Sequence, residues 1–202
     1  MPSLSRITFT GGTGGDEFNG GDLSDVVTAG SGDDLFDLGA GTTNTLDITS
    51  GGDDEIEINS LTGHTTITGF STGDVIDLQA SEIDGTEVVY TGALASAVDF
   101  TTTNYLIYTQ DASENTLVTG SGELIADFTD GTGVAAYLEA ALNMLSAETA
   151  GVVLNDGTNS YVYLVDMDVS NGTTDQVDAA DIIMLATVEN HILVAADVTA
   201  TA

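Results

Sequence analysis

Asp16, Asp25, Asp34, Asn44 and Asp54 recur along one stretch of the chain, each with a large apolar residue two places on: Phe18, Val27, Phe36, Leu46 and Ile56. Written in nines, the stretch Gly11–Glu57 reads GGTGGDEFN, GGDLSDVVT, AGSGDDLFD, GAGTTNTLD and TSGGDDEIE. The first three units are contiguous, and Leu38 and Ile48 stand as single extra residues before the last two. Carboxylates and glycine-turn carbonyls at this regular spacing make a set of hard oxygen donors. A hard cation such as calcium takes about six to eight of them. A flexible Gly/Asp linker has no reason to place an apolar residue two after each acid five times over.

The elements that must position these donors follow from the unit itself. Its pattern is G-G-x-G-x-D-x-U-x, in which six residues turn and three run as a strand, with U pointing inward. Glycines permit the turn and the close approach of neighbouring backbones. Two units complete one coil, so alternate units stack along the same edge. That register pairs Asp16 with Asp34 and Asp34 with Asp54 on one edge. On the other it pairs Asp25 with the Asn44 turn, the weaker site. The carbonyls of Gly12, Gly14, Gly21, Gly30 and Gly32 are the expected neutral ligands.

Charge points the same way. The 202 residues carry 33 acids against one basic residue, Arg6, for a formal net charge of -32. Phosphate recognition needs Lys and Arg, so the chain itself is expected to bind no nucleic acid. Anionic membrane surfaces are disfavoured partners as well. At 42% apolar, the composition still supports a core. Self-repulsion opposes compaction, and divalent cations relieve it. Ion binding and folding are therefore expected to be one event.

The chain has no cysteine, which fits a secreted protein without disulfides. Residues 1–10, MPSLSRITFT, lack a basic segment followed by an apolar one, so no cleavable export signal is expected there. The apolar run Ile182–Val188 is too short to cross a bilayer, and no membrane insertion is expected. Without Cys or Lys, and with His64 and His191 far apart and outside any catalytic motif, the expectation is that the protein is not an enzyme.

Further elements read as β. Ile7–Phe9 is expected to be a first strand at the open end of the coil. Gly63–Thr65 looks like a degenerate last turn, with His64 expected to be exposed rather than a ligand. Strands are expected at 75–78, 87–91, 105–110, 116–119 and 124–128. Val134–Ser146 reads as a helix, with Thr132 as N-cap and an apolar face of Tyr137, Leu138, Ala141, Leu142 and Leu145. A hairpin joins 152–154 to 161–165, a strand runs over 182–186, and the chain closes on a last strand with a polar tail. Between these, Asp166, Asp168, Asn171 and Asp175 are spaced D-x-D-x-x-N-x-x-x-D with Gly172 at the bend. Two readings stay open for this loop: a second calcium site, or an acidic surface turn, with Asp178 and Asp181 either contributing or opening the next strand.

The nonapeptide array, together with ITGFSTGDVIDL at Ile67–Leu78, resembles the RTX (repeats-in-toxin) proteins that bacteria export by type I secretion. The downstream helix, the hairpin NDGTNSYVYLVD and the run DAADIIML are similar to the C-terminal ends of RTX surface-layer proteins, adhesins and secreted hydrolases. The resemblance implies an all-β fold: a right-handed parallel β-roll over residues 1–70, then a β-rich C-terminal cap with one helix over 71–202. It also implies a secreted or cell-surface location and an uncleaved export signal near the C-terminus, read by the type I machinery. The expected function is an extracellular module that folds on binding calcium after export. It would form part of a surface-layer or matrix structural protein and self-associate through calcium. The alternative is the C-terminal secretion module of a hydrolase or adhesin. Family members usually carry a large effector region ahead of the repeats, and ten residues precede them here, which leaves a stand-alone protein and an excised end equally open.

Overall fold

The computed structural model describes residues 6–78, 87–91, 98–99, 105–109, 125, 127–143, 149–166 and 177–199. Its first part is a stack of short strands: β1 (Thr8–Thr10), β2 (Glu17–Asn19), β3 (Val26–Thr28), β4 (Leu35–Asp37), β5 (Asn44–Asp47), β6 (Glu55–Ile58), β7 (Thr65–Thr68) and β8 (Val75–Leu78). The odd-numbered strands lie side by side in one sheet and the even-numbered in another, all parallel. The result is a β-solenoid of about four turns, compatible with a β-roll.

The register follows the apolar column. Phe9 faces Val27, Val27 faces Leu46, and Leu46 faces Ile67 in one sheet. Phe18, Phe36, Ile56 and Ile76 align in the other. A slip by one residue would turn every one of these side chains to solvent. Leu38 and Ile48, which interrupt the nonapeptide count, are not looped out but fully buried in the same core. Phe36 is 0% exposed at the centre of the stack. Phe36→Ala is expected to lower stability by about 3–5 kcal/mol, read from denaturant unfolding with parent and variant in the same buffer.

The second part contains β9 (Glu87–Thr91), β10 (Val98–Asp99), β11 (Tyr105–Thr109), α1 (Gly131–Ala141), β12 (Leu142–Asn143), β13 (Thr149–Asn155), β14 (Ser160–Asp166), β15 (Ile182–Val188) and β16 (Val198–Thr199). β13, β14 and β15 form an antiparallel meander, and β15 pairs in parallel with β7. One sheet of the solenoid thus runs on without a break into the cap, in the order β1-β3-β5-β7-β15-β14-β13-β11-β9. The other sheet is closed by β16, whose Val198 lies against Ile76. The two strands of the last coil, β7 and β8, are thus both paired by cap strands, which covers edges that would otherwise offer unpaired backbone groups. His191 fixes the closing segment: its ring packs on Phe70, and its Nε2 lies 3.2 Å from Asp197 Oδ2.

The meander has two buried faces, so its strands read as continuous apolar runs. Val153, Val162 and Leu164 join the solenoid core, while Val152, Leu154, Tyr163 and Val165 pack with α1 through Val134, Tyr137 and Leu138.

Several boundaries differ from the sequence expectation. The helix begins at Gly131, with Asp130 Oδ1 accepting the Thr132 N–H at 3.0 Å, so Asp130 occupies the capping place expected of Thr132. It ends at Ala141, because Leu142–Asn143 leave it to pair with β10. Within the expected strand 124–128, Ile125 and Phe128 are buried but form no strand, and Asp127–Asp130 make a turn in which Asp127 accepts from Thr129 and Asp130. The expected last strand is a 3₁₀ turn, Ala195–Asp197, followed by the two residues of β16. The strand expected at 116–119 lies outside the described residues. The parallel stack continues through Leu78.

Candidate metal centre

Each turn ahead of an even-numbered strand places one aspartate directly over the next. Asp34 Oδ1 accepts the Asp16 N–H at 2.7 Å, Asp54 Oδ1 accepts the Asp34 N–H at 3.0 Å, and Asp74 Oδ1 accepts the Asp54 N–H at 2.9 Å. The other edge repeats the motif. Asp25 Oδ1 accepts the Ile7 N–H at 2.7 Å, and Asn44 Oδ1 accepts the Asp25 N–H at 2.8 Å. One oxygen of Asp25, Asp34, Asn44, Asp54 and Asp74 is therefore spent on holding the stack together.

The second oxygens divide into two kinds. At the ends of the first column they are satisfied within their own turns: Asp16 Oδ2 by the Gly12 N–H, Asp74 Oδ2 by the Ser71 N–H and hydroxyl. In the middle they are not. Oδ2 of Asp25, Asp34 and Asp54 is buried and accepts no hydrogen bond. These residues are 1%, 3% and 1% exposed. Burial pushes the Asp54 carboxyl up to about 6, opposed by its bond from the Asp34 N–H and reinforced by the charges of Asp74, Asp34 and Asp33.

A buried acceptor left without a donor costs about 1–3 kcal/mol, and more when charged. Arg6 is the chain's only Lys or Arg, so a side-chain cation could serve at most one place in this array. A hard cation is the partner that fits orphaned carboxylate oxygens. Among the described residues, no three His, Cys, Asp or Glu side chains group together as a metal site. The donors available at each place are stacked carboxylates with backbone carbonyls. Gly12 O and Gly21 O each accept one N–H from the coil below, from Ser31 and Ala40, and keep a second lone pair. The turns are packed to contact. A Cβ at Gly30 would overlap the Gly12 carbonyl, and one at Gly32, where φ is +138°, would come 2.8–2.9 Å from the Gly14 carbonyl group.

The structure thus brings together Gly12, Gly14, Asp16, Gly30, Gly32, Asp34 and Asp54 on one edge, and Gly21, Asp25 and Asn44 on the other. The Asn44 amide is doubly engaged, since its Nδ2 donates to Leu38 O at 3.1 Å, so Asp25 supplies the one orphan oxygen of that edge. Asp74 belongs to the column although the sequence reading placed it only beside a strand. Its signal was present in Asp74-Val75-Ile76, the same acid-x-apolar order as in the repeats, with Gly73 ahead of it as Gly15 is ahead of Asp16. His64 is half-buried, its Nε2 lying 3.2 Å from Thr187 Oγ1, and not the exposed turn residue expected. Asp166 ends β14, whereas Asp168, Asn171 and Asp175 lie outside the described residues.

No helix among the described residues is long and apolar enough to cross a membrane. No family model matches this chain, and no characterised protein sequence or solved structure matches it.

Proposed function

We propose that the protein is a calcium-dependent folding module of the RTX kind, whose coils take up the ion between stacked aspartate turns. The observation that carries this reading is the set of three buried, unpartnered Oδ2 atoms on Asp25, Asp34 and Asp54, two of them consecutive in one column. Asp16, Asp34 and Asp54 would hold ions along the first edge and Asp25 along the second. The carbonyls of Gly12, Gly14, Gly21, Gly30 and Gly32 would complete the oxygen set. Calcium supplies positive charge to a chain that has almost none of its own.

Asp34 serves two stacked places and Asp25 one. Asp34→Ala is therefore expected to raise the calcium concentration at the folding midpoint more than Asp25→Ala, with roughly 5- to 150-fold per site for a loss of about 1–3 kcal/mol. Titrations followed by circular dichroism, with the bound ions counted by native mass spectrometry, check this. Equal midpoints in the two variants would refute the column register, and a count of no ions would refute the reading as a whole.

Export by a type I machinery, an extracellular location and a surface-layer or matrix role rest on the resemblance of Gly11–Glu57 and Ile67–Leu78 to RTX proteins. So does the alternative, the terminal module of a hydrolase or adhesin. Light scattering against calcium concentration separates the two, since a lattice component grows in size beyond the folding midpoint and a secretion module stays monomeric.

A further inference from the structure

A second acidic place lies at the mouth of the β14–β15 hairpin, in the cap. Val165 faces Ile182, and the Asp166 N–H donates to Asp181 O at 2.9 Å. Asp166 and Asp181 therefore extend the antiparallel pairing by one residue, and residues opposite each other send their side chains to the same face of a sheet. Two like charges so placed repel. Asp178 approaches from the preceding turn, its N–H donating to Asp181 Oδ2 at 2.8 Å while its own Oδ1 accepts from Ala180 at 2.7 Å.

Asp181 is 1% exposed, and its Oδ1 accepts no hydrogen bond. A buried turn-closing aspartate needs one oxygen for the turn and has no structural use for a second one left bare. Burial raises the Asp181 carboxyl above its ordinary range against the pull of the Asp178 N–H, with the charges of Asp178 and Asp166 adding to the rise.

We propose that Asp181 Oδ1 and the Asp166 carboxylate take a hard divalent cation of the calcium class at this hairpin mouth, with Asp178 positioning Asp181 and adding negative charge. The site is separate from the solenoid turns. It ties the two strand ends together where the like-charged pair would push them apart.

The chain offers a selective readout. All six tyrosines, at 90, 105, 108, 137, 161 and 163, lie outside the coils of residues 8–78. Tyr163 stands three residues before Asp166 on the same strand, about 10 Å away. Terbium, an oxygen-seeking calcium substitute, bound at this mouth is expected to emit on tyrosine excitation, and calcium should displace it. Asp166→Asn and Asp181→Asn are each expected to bind one ion fewer than the parent by native mass spectrometry and to lose most of the sensitised emission. Asp166 is partly exposed at a strand end, so Asp166→Asn decides the matter if Asp181→Asn fails to fold. An unchanged ion count and unchanged emission in Asp166→Asn would overturn the proposal and leave Asp181 as a turn-closing residue. Ions bound without tyrosine sensitisation would count against this site alone. Sensitised emission with no further ions would count against the solenoid reading alone.

Discussion

Chelation of calcium is expected to dissolve the parallel coils of residues 8–78, with a large loss of β signal in circular dichroism and an increase in the radius of gyration by X-ray scattering. Returning millimolar calcium should restore both. The argument is one of magnitudes. Without an ion, three buried carboxylate oxygens have no partner, at about 1–3 kcal/mol each and on the order of 3–9 kcal/mol together. A domain of ordinary stability has about 5–15 kcal/mol in all. The formal charge of -32 adds repulsion over the whole chain. Sodium chloride screens exposed charges over a Debye length but leaves the buried oxygens as they are, so salt should not replace calcium. A β signal that is complete in chelator would refute the coupling of ion and fold.

The second large effect concerns Asp54, and its sign depends on whether the ion is present. In the metal-free fold the Asp54 carboxyl is raised from 3.8 to about 6 by burial, so the folded chain holds a proton that the unfolded chain releases. Between those two values stability must fall as pH rises, because the unfolded state binds fewer protons. The metal-free protein is therefore expected to gain stability on acidification from pH 7 to about 5. Sucrose, which strengthens burial, allows the metal-free fold to be populated for the measurement. With calcium the direction reverses, since protons compete with the ion for the same oxygen. Asp54→Asn separates the two contributions. At pH 7 its metal-free form should be more stable than the parent and should lack the acid gain, while its calcium midpoint should rise about ten-fold, equivalent to about 1.4 kcal/mol. If Asp54→Asn weakens the metal-free fold and leaves the calcium midpoint unchanged, the carboxylate acts by shape and not by charge.

The nonapeptide array carried its own fold. A turn signal, an acid and an apolar residue at fixed offsets determine which way each side chain points, and pairing alternate units then determines the register. Phe36 over Ile56, and Asp34 over Asp54, follow from counting alone. The hairpin of β13 and β14 was legible for a similar reason, since β-branched and aromatic runs with an Asn-Asp-Gly turn leave few other options.

What counting did not yield depends on contacts distant in sequence. Nothing local in Ile182–Val188 says that it will lie in parallel beside Thr65–Thr68, or that Val198 will lie against Ile76. Those pairings exist because the last coil leaves two open sheet edges that must be covered, and the chain that covers them arrives more than a hundred residues later. The same holds for Asp181. In sequence it stands with Asp178 as an acid that either joins the Asp-rich loop or opens the next strand, and its burial with one oxygen left without a donor appears only in the fold. The sequence alone determined the repeating coil and the acid placed at each of its bends, because those are properties of neighbours a few bonds apart. The tertiary structure alone decided which carboxylate oxygens lost their water and found no donor, because desolvation is a property of everything packed around an atom.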